Sequence, residues 1–183
     1  MRGRIWTVPN QITFLRLGIL PFFLILISYQ RYAWALAVLI LAGLSDGIDG
    51  LLARRLNQRS SLGAFLDPIA DKLLLSSSFV ILAFDKKITW WLTILILSRD
   101  VIILVVATVI ILHSGYRPLP PTIYGKYTTF FQIILVLAVI LLAAAGWSWL
   151  VPVNRALVYL VTALTIFSGF HYSVIIARRL HFA

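Results

Sequence analysis

Hydrophobic residues run through this chain in six long blocks that short polar breaks separate. The blocks cover residues 11–29, 33–53, 62–84, 89–113, 127–147 and 153–177. Each block is close to the roughly 20 residues that a helix needs to cross the hydrocarbon core of a bilayer. The breaks hold the charged residues, glycines and prolines that end apolar helices. The pattern predicts an all-α polytopic membrane protein with six transmembrane helices and a short N-terminal interfacial segment.

Composition agrees with that prediction. The chain has 183 residues, of which 61% are hydrophobic, and a mean hydropathy far above that of soluble proteins. Its length suits a single domain over residues 1–183. Cysteine is absent, which excludes disulfides, thiolate metal sites and cysteine nucleophiles.

The charges are few and mostly basic, with 16 Lys and Arg residues against 6 acids. Most of the basic residues lie between apolar blocks or near their ends and form no single patch, which favours anionic membrane lipids over nucleic acid as partners. Arg16, Lys72 and Arg99 fall within the predicted spans. Short cytoplasmic loops carry the excess of basic residues. If the N terminus is cytoplasmic, that side holds Arg2, Arg4, Arg54, Arg55, Arg59, Arg117, Lys126, Arg178 and Arg179, and the other side holds Arg31, Lys86, Lys87 and Arg155. We therefore expect the break that begins at residue 54 to face the cytoplasm.

All six acids are aspartates, and four of them lie between residues 46 and 71. Asp46 and Asp49 are three positions apart, and Asp67 and Asp71 are four apart, so each pair projects from one face of a helix. Two helices joined by a short loop are antiparallel neighbours, so the two pairs can converge. An ionised aspartate at the centre of a membrane helix costs roughly 2.5 to 3.5 kcal/mol on insertion scales, so something must compensate these four.

A divalent metal site is the interpretation that we favour for the aspartates. Oxygen ligands without His or Cys suit Mg²⁺ or Mn²⁺, and shared carboxylates permit two ions about 4 Å apart. Such a pair is suited to phosphoryl transfer. One alternative is a structural cluster in which Arg54, Arg59 and Lys72 pair with the aspartates. Another is the cation pathway of a transporter or channel.

The segment from Asp46 to Asp71 closely resembles the signature of the CDP-alcohol phosphotransferase family, D-x2-D-G-x2-A-R-x8-G-x3-D-x3-D. Every fixed position of the signature matches, at Asp46, Asp49, Gly50, Ala53, Arg54, Gly63, Asp67 and Asp71. The resemblance implies that the first three aspartates hold one ion, and that the first, third and fourth hold or approach a second. It also implies that Asp71 is the base that deprotonates the acceptor hydroxyl.

The resemblance also implies a binding site for the CDP-alcohol. An upstream segment, from Val8 to Arg16, is similar to the P-N-x-x-T-x-x-R opening of phosphatidyl-transferring members. Asn10 and Thr13 would supply hydrogen bonds there, although either residue could instead cap the first helix. The residues expected to bind the CDP-alcohol are Pro9, Asn10, Thr13, Asp46, Gly50, Ala53, Arg54, Ser60 and Gly63.

The sequence is consistent with two acceptors. Residues 125–132 resemble the G-K-x-K-T-x-x-Q segment of phosphatidylglycerophosphate synthases, but Thr128 replaces the second lysine. Those synthases usually carry Arg-Glu in the fourth span, where this chain has Arg99 and Asp100, as cardiolipin synthases of the family can.

Our leading hypothesis is a transferase of phospholipid biosynthesis. It would transfer the phosphatidyl group of CDP-diacylglycerol to glycerol 3-phosphate, which gives phosphatidylglycerophosphate and CMP. The alternative acceptor is phosphatidylglycerol, which would make the enzyme a cardiolipin synthase. The cations expected near an acceptor phosphate are Arg16, Arg99, Arg117 and Lys126. The resemblance further suggests a homodimer. We expect it in a bacterial inner membrane, and the distribution of Lys and Arg predicts that the active site faces the cytoplasm.

Overall fold

The computed structural model describes the backbone of residues 8–56, 61–114 and 123–181, and the side chains of residues 14–15, 17–44, 70–105 and 123–174. Over these residues it has six α-helices and no strand. The helices are α1 (Val8–Ser28), α2 (Tyr32–Leu56), α3 (Ser61–Phe84), α4 (Trp90–Ser114), α5 (Ile123–Ala145) and α6 (Leu150–His181). The all-α prediction is confirmed, and each hydrophobic block corresponds to one helix.

The helices form two compact units. The first unit contains residues 1–87 and 140–146, and the second contains residues 88–139 and 147–183. The single domain predicted from length stays a prediction. The predicted N-terminal interfacial segment falls largely on residues 1–7, which lie outside the described part of the chain.

In the first unit, α1 packs against both α2 and α3. Phe23 and Ile27 of α1 are completely buried, as are Phe79 and Leu82 of α3. Alanines contribute much of the remaining buried surface, at Ala35, Ala42, Ala70 and Ala83. Small side chains let membrane helices approach closely, which explains how α1 fits between its two neighbours.

Two helices of the first unit end in the same type of turn. Gln30 after α1 and Lys86 after α3 have positive φ angles, of 57° and 59°. After α1, the N–H of Gln30 donates to Ile27 and that of Arg31 donates to Leu26. This pair of bonds is the Schellman arrangement, which satisfies the last carbonyl groups of a helix. Tyr32, at the start of α2, then donates a hydrogen bond from its hydroxyl group to Asp85 in the turn after α3.

In the second unit, α4 packs against α6, and two hydrogen bonds join α5 to α6. The Thr128 hydroxyl shares its proton between the carbonyl of Tyr124 in its own helix, at 2.8 Å, and the carbonyl of Leu164 in α6, at 3.3 Å. The Asn154 amide donates to the carbonyl of Ala138 at 3.2 Å. As the α5 position advances from 128 to 138, its α6 partner retreats from 164 to 154, so the two helices are antiparallel.

Large apolar side chains cover the outside of the helices. Within α6, for example, Tyr159, Ile166 and Phe170 are each more than half exposed. Apolar surface of this extent marks contact with lipid or protein. Among the described residues, Ile123–Ala145 and Leu150–Val174 are long and apolar enough to cross a bilayer, and shorter apolar runs cover Leu17–Ser28 and Tyr32–Leu44.

Candidate metal and nucleotide site

The helices α2 and α3 carry the four aspartates of the predicted metal site. Positions 46 and 49 both lie in α2, and positions 67 and 71 both lie in α3, each within unbroken helix. The helical spacing assumed from the sequence is therefore present, and each pair shares one face of its helix. The side chains of Asp46, Asp49 and Asp67 lie outside the described residues, so their convergence on a metal ion stays a prediction.

Asp71 is the one aspartate of the four whose side chain the structure describes. It is exposed, whereas the preceding residue, Ala70, is 1% exposed and packs into the first unit. Burial of Ala70 fixes the rotation of α3 at this point and turns position 71 away from the packed interior. An exposed carboxylate is accessible to an ion or a substrate, as a base or ligand must be.

The donor set suits a hard divalent cation. It consists of carboxylates alone, and no cysteine is available anywhere in the chain. Across the side chains that the structure describes, no three His, Asp or Glu residues lie close enough together to hold a metal ion. That search does not include Asp46, Asp49 and Asp67, so the predicted ligand set stays untested.

The residues predicted to bind the CDP-alcohol, apart from Ser60, lie on α1 and on the two helices that carry the aspartates, α2 and α3. Pro9, Asn10 and Thr13 fall in the first two turns of α1, where a proline near the helix start is tolerated. Position 54 lies in the last turn of α2, and position 63 in the first turn of α3. Because α1 packs against α2 and α3, one unit holds all these positions. The side chains of Pro9, Asn10, Thr13, Gly50, Ala53, Arg54 and Gly63 are outside the described residues, and Ser60 lies between two described segments.

The structure describes the side chains of two of the four cations predicted to bind the acceptor phosphate. Arg99 is 9% exposed, and its guanidinium group donates to the Asp100 carboxylate at 2.8 Å and to the Ser168 hydroxyl. Lys126 lies in the first turn of α5 and is exposed. The side chains of Arg16 and Arg117 are outside the described part of the chain. Arg99 thus joins α4 to α6, which leaves Lys126 as the described cation with an accessible head group.

Sequence reasoning assigned no role to three buried polar residues of the second unit. Ser168 and Gln132 are completely buried, and Asn154 is 8% exposed. The signal available in the sequence was a polar residue isolated within an apolar block. Such a residue is usually functional or bonded to another helix, but its partner depends on packing that spacing does not reveal.

Comparison with known proteins places the chain in a family. The sequence profile of the CDP-alcohol phosphatidyltransferase family matches residues 6–168, which includes all of α1 to α5 and the complete aspartate signature. The chain belongs to the CDP-alcohol phosphatidyltransferase family. It is a membrane-associated transferase of phospholipid biosynthesis. The family match confirms the resemblance found from the signature and argues against the transporter interpretation.

Individual relatives have two different names. The chain is 39% identical to a cardiolipin synthase (CMP-forming) of Streptomyces coelicolor, over 79% of this chain and 69% of that protein. It is 35% identical to the human cardiolipin synthase (CMP-forming), over 91% of this chain and 62% of that protein. It is 33% identical to a probable phosphatidylglycerophosphate synthase of Mycobacterium tuberculosis, over 98% of this chain and 84% of that protein. All three relatives are named as synthases of phospholipids, and their names give two different products.

Proposed function

We propose that this protein transfers the phosphatidyl group of CDP-diacylglycerol to a glycerol hydroxyl of a phosphate-bearing acceptor and releases CMP. The observation that carries the proposal is the complete aspartate signature on two unbroken helices that both pack against α1. The signature supplies carboxylate ligands and a base, which are the groups that phosphoryl transfer requires. Both acceptors suggested by the relatives contain a glycerol hydroxyl.

Asp46, Asp49, Asp67 and Asp71 would hold two divalent ions, Mg²⁺ or Mn²⁺. When bound, such ions neutralise charge on the pyrophosphate of the donor and on the departing phosphate. Carboxylates that are costly in an apolar span without partners would then be compensated by the cations. Arg54 would pair with pyrophosphate oxygens, since a guanidinium group can donate two parallel hydrogen bonds to them.

The reaction is a substitution at phosphorus. The Asp71 carboxylate accepts the proton of the acceptor hydroxyl, and the hydroxyl oxygen forms a new bond to the phosphatidyl phosphorus. The bond between that phosphorus and the bridging oxygen of the pyrophosphate breaks, and CMP leaves with the bonding electrons. The exposed position of Asp71 supports this assignment, because the base must reach a hydroxyl group of a second substrate.

Glycerol 3-phosphate is the first acceptor that we propose. The segment around Lys126 is similar to that of phosphatidylglycerophosphate synthases, and the relative of that name matches along almost the whole chain. The exposed head group of Lys126 is available to a phosphate. The product would be phosphatidylglycerophosphate.

Phosphatidylglycerol is the second acceptor, and two observations favour it. Asp100 stands where phosphatidylglycerophosphate synthases usually have glutamate, and relatives named cardiolipin synthase have somewhat higher identities. In addition, the charge of Arg99 is already paired with Asp100. A phosphodiester carries less charge than the phosphate monoester of glycerol 3-phosphate, and would need fewer unpaired cations.

The test is to give purified protein CDP-diacylglycerol with each acceptor in turn and to identify the lipid product. Phosphatidylglycerophosphate from glycerol 3-phosphate supports the first acceptor, and cardiolipin from phosphatidylglycerol supports the second. Failure of both acceptors to give CMP and a new lipid contradicts the proposed function.

We also propose that all six helices cross the bacterial inner membrane, that the aspartates face the cytoplasm, and that the enzyme is a homodimer. The greater number of basic residues on the assigned cytoplasmic side supports the orientation. Exposed apolar side chains on the helices support contact with lipid. Labelling of single cysteines introduced into this cysteine-free chain would test the topology directly, because no native thiol interferes.

A further inference from the structure

Three exposed basic residues come together in the first unit, where α1 ends, α2 begins and α3 ends. The Tyr32 hydroxyl at the start of α2 donates to Asp85 in the turn after α3, and the two residues are 53 positions apart. Arg31 directly precedes Tyr32, and Lys86 and Lys87 directly follow Asp85. The hydrogen bond therefore holds the turn that contains Arg31 next to the turn that contains both lysines. We call these three cations the basic cluster, and all of them belong to the first unit.

The basic cluster carries more positive charge than the single carboxylate beside it can neutralise. Asp85 already accepts the hydrogen bond from Tyr32, and the Lys87 ammonium group lies over the Tyr32 ring, 5.1 Å from its centroid. Within the part of the chain that the structure describes, neither Arg31 nor Lys86 has an ion-pair partner. Cations held close together repel one another, and an anion bound between them removes that cost.

The basic cluster is well separated from the aspartates along the helices. At a rise of about 1.5 Å per residue, the end of α3 at Phe84 lies about 20 Å along the helix axis from Asp71. The start of α2 at Tyr32 lies about as far from Asp46. An anion bound by the basic cluster is therefore not the pyrophosphate of the CDP-alcohol.

Exposed aromatic side chains place the basic cluster at the level of lipid head groups. Tyr29 is 76% exposed and Trp34 is 67% exposed, on either side of Arg31 in the sequence. Tyr and Trp concentrate where the hydrocarbon of a bilayer meets its head groups, and apolar runs of α1 and α2 adjoin both residues. The anion available at that depth is the phosphate of a phospholipid, for which Arg and Lys are suitable donors.

We propose that the basic cluster binds the head-group phosphate of an anionic phospholipid, with Arg31 of one turn and Lys86 of the other as its donors. The bound lipid joins the two turns and stabilises the first unit. A zwitterionic lipid such as phosphatidylcholine carries its own cation, which the basic cluster repels, so the site selects anionic lipids. This inference goes beyond the proposed reaction and does not depend on it.

The test titrates purified protein in a neutral detergent with dioctanoyl phosphatidylmethanol and follows the melting temperature. This lipid is anionic and has no head-group hydroxyl, so it cannot serve as the acceptor. We expect saturable stabilisation of the wild-type protein, and little from dioctanoyl phosphatidylcholine or from inorganic phosphate. Arg31→Gln and Lys86→Gln should each raise the apparent Kd about fivefold, whereas Arg31→Lys, which keeps the charge, should stay within about twofold of wild type.

Arg155→Gln is the matched control, because it removes the same charge from an exposed cation that belongs to the second unit. Its apparent Kd should stay within about twofold of wild type. The inference is overturned if phosphatidylcholine or inorganic phosphate stabilises the protein equally, if both glutamine variants of the basic cluster bind like wild type, or if Arg155→Gln weakens binding equally. Cations that only complement the dipoles of α1 and α3 would give the second result, together with lower melting temperatures in the absence of lipid. The measurement does not use CMP release, so failure of the proposed function would not change its outcome.

Discussion

The two compact units hold their polar residues in different ways. In the first unit, four aspartates repeat at helical spacing on α2 and α3, and the exposed Asp71 lies beside the buried Ala70. In the second unit, the polar residues are of mixed type and buried singly, and several of them bond to backbone carbonyls or to Arg99. Acidic residues that repeat at helical spacing can act together at one site, whereas isolated buried polar side chains mostly bond to a neighbouring helix. We therefore expect substitutions in the first unit to affect turnover and many of those in the second to affect stability.

The largest expected effect is that of Asp71→Asn. The amide cannot accept the acceptor proton, and loss of a general base typically lowers the rate by roughly 10² to 10⁴-fold. CMP release measures turnover, and nucleotide binding should be largely retained. Asp85→Asn is the matched control, because Asp85 lies in the turn after α3 and bonds to Tyr32. Turnover of Asp71→Asn within tenfold of wild type would remove the base from the mechanism.

Arg99→Met tests whether Arg99 stabilises the contact between α4 and α6. Arg99 is bonded to Asp100 and Ser168 and is nearly buried, so its loss breaks an ion pair and a contact between helices. We expect stability to fall by about 3 kcal/mol, as when one partner of a buried pair is removed. Unfolding in detergent measures this, with the exposed Lys126→Met as control. A large rise in acceptor KM without loss of stability would instead support the sequence-based role of Arg99 in phosphate binding.

Tyr32→Phe should have a smaller effect, because it removes one partly buried hydrogen bond, to Asp85. We expect a loss of about 1 kcal/mol at neutral pH. Burial, and then the hydrogen bond and charge of Asp85, raise the pKa of Tyr32 from 10.0 to about 12. Since the folded protein favours the protonated phenol, the contribution is complete below pH 10 and is lost as pH rises through about 12.

Measuring the free energy of unfolding of Tyr32→Phe and of wild type across that pH range checks the direction of the pH dependence. The difference in this free energy between the two proteins should shrink as the pH rises. The exposed Tyr29→Phe serves as control and should change stability little. A difference that grows between pH 10 and pH 12 would contradict the assignment of the hydrogen bond.

The smallest effect concerns the turn after α1. Gln30 has a φ of 57°, which glycine adopts without the steric cost of a side chain, so Gln30→Gly should stabilise the protein by up to about 1 kcal/mol. Gly146→Ala is the opposite control. Gly146 has a φ of 67° and open space around it, so only backbone strain should destabilise that variant. The melting temperatures should therefore move in opposite directions, and parallel shifts would contradict this explanation.

The hydrophobic blocks predicted the number and type of helices, and missed their ends by at most four residues. The largest differences are at the start of α5, which includes Tyr124, Gly125 and Lys126, and at the end of α6, which continues to His181. Hydrophobicity marks where a helix suits lipid, whereas backbone hydrogen bonding continues through polar flanking residues. At 32 residues, α6 is longer than a bilayer crossing requires.

The candidate site was predictable to the extent that it depends on local spacing. The aspartates are three or four positions apart within single helices, and sequence alone therefore places each pair on one face. The contact between Arg99 and Ser168 joins residues 69 positions apart and depends on how α4 packs against α6. Gln132 stands at the last position of the segment 125–132 noted from the sequence, but the lack of a hydrogen-bond partner for its amide could be found only from the packing. The acceptor preference for glycerol 3-phosphate stays a prediction, because it too depends on tertiary packing that local spacing does not reveal.

The most direct test of the central claim measures CMP release by purified protein from CDP-diacylglycerol, with and without divalent metal. We predict that CMP and a new phospholipid form in equal amounts when an acceptor and Mg²⁺ are present. Chelation by EDTA should abolish both products, and added Mg²⁺ or Mn²⁺ should restore them, because carboxylates alone cannot stabilise the charge on the departing phosphate. CMP and lipid formation that continues unchanged in EDTA would contradict a metal site built from the four aspartates.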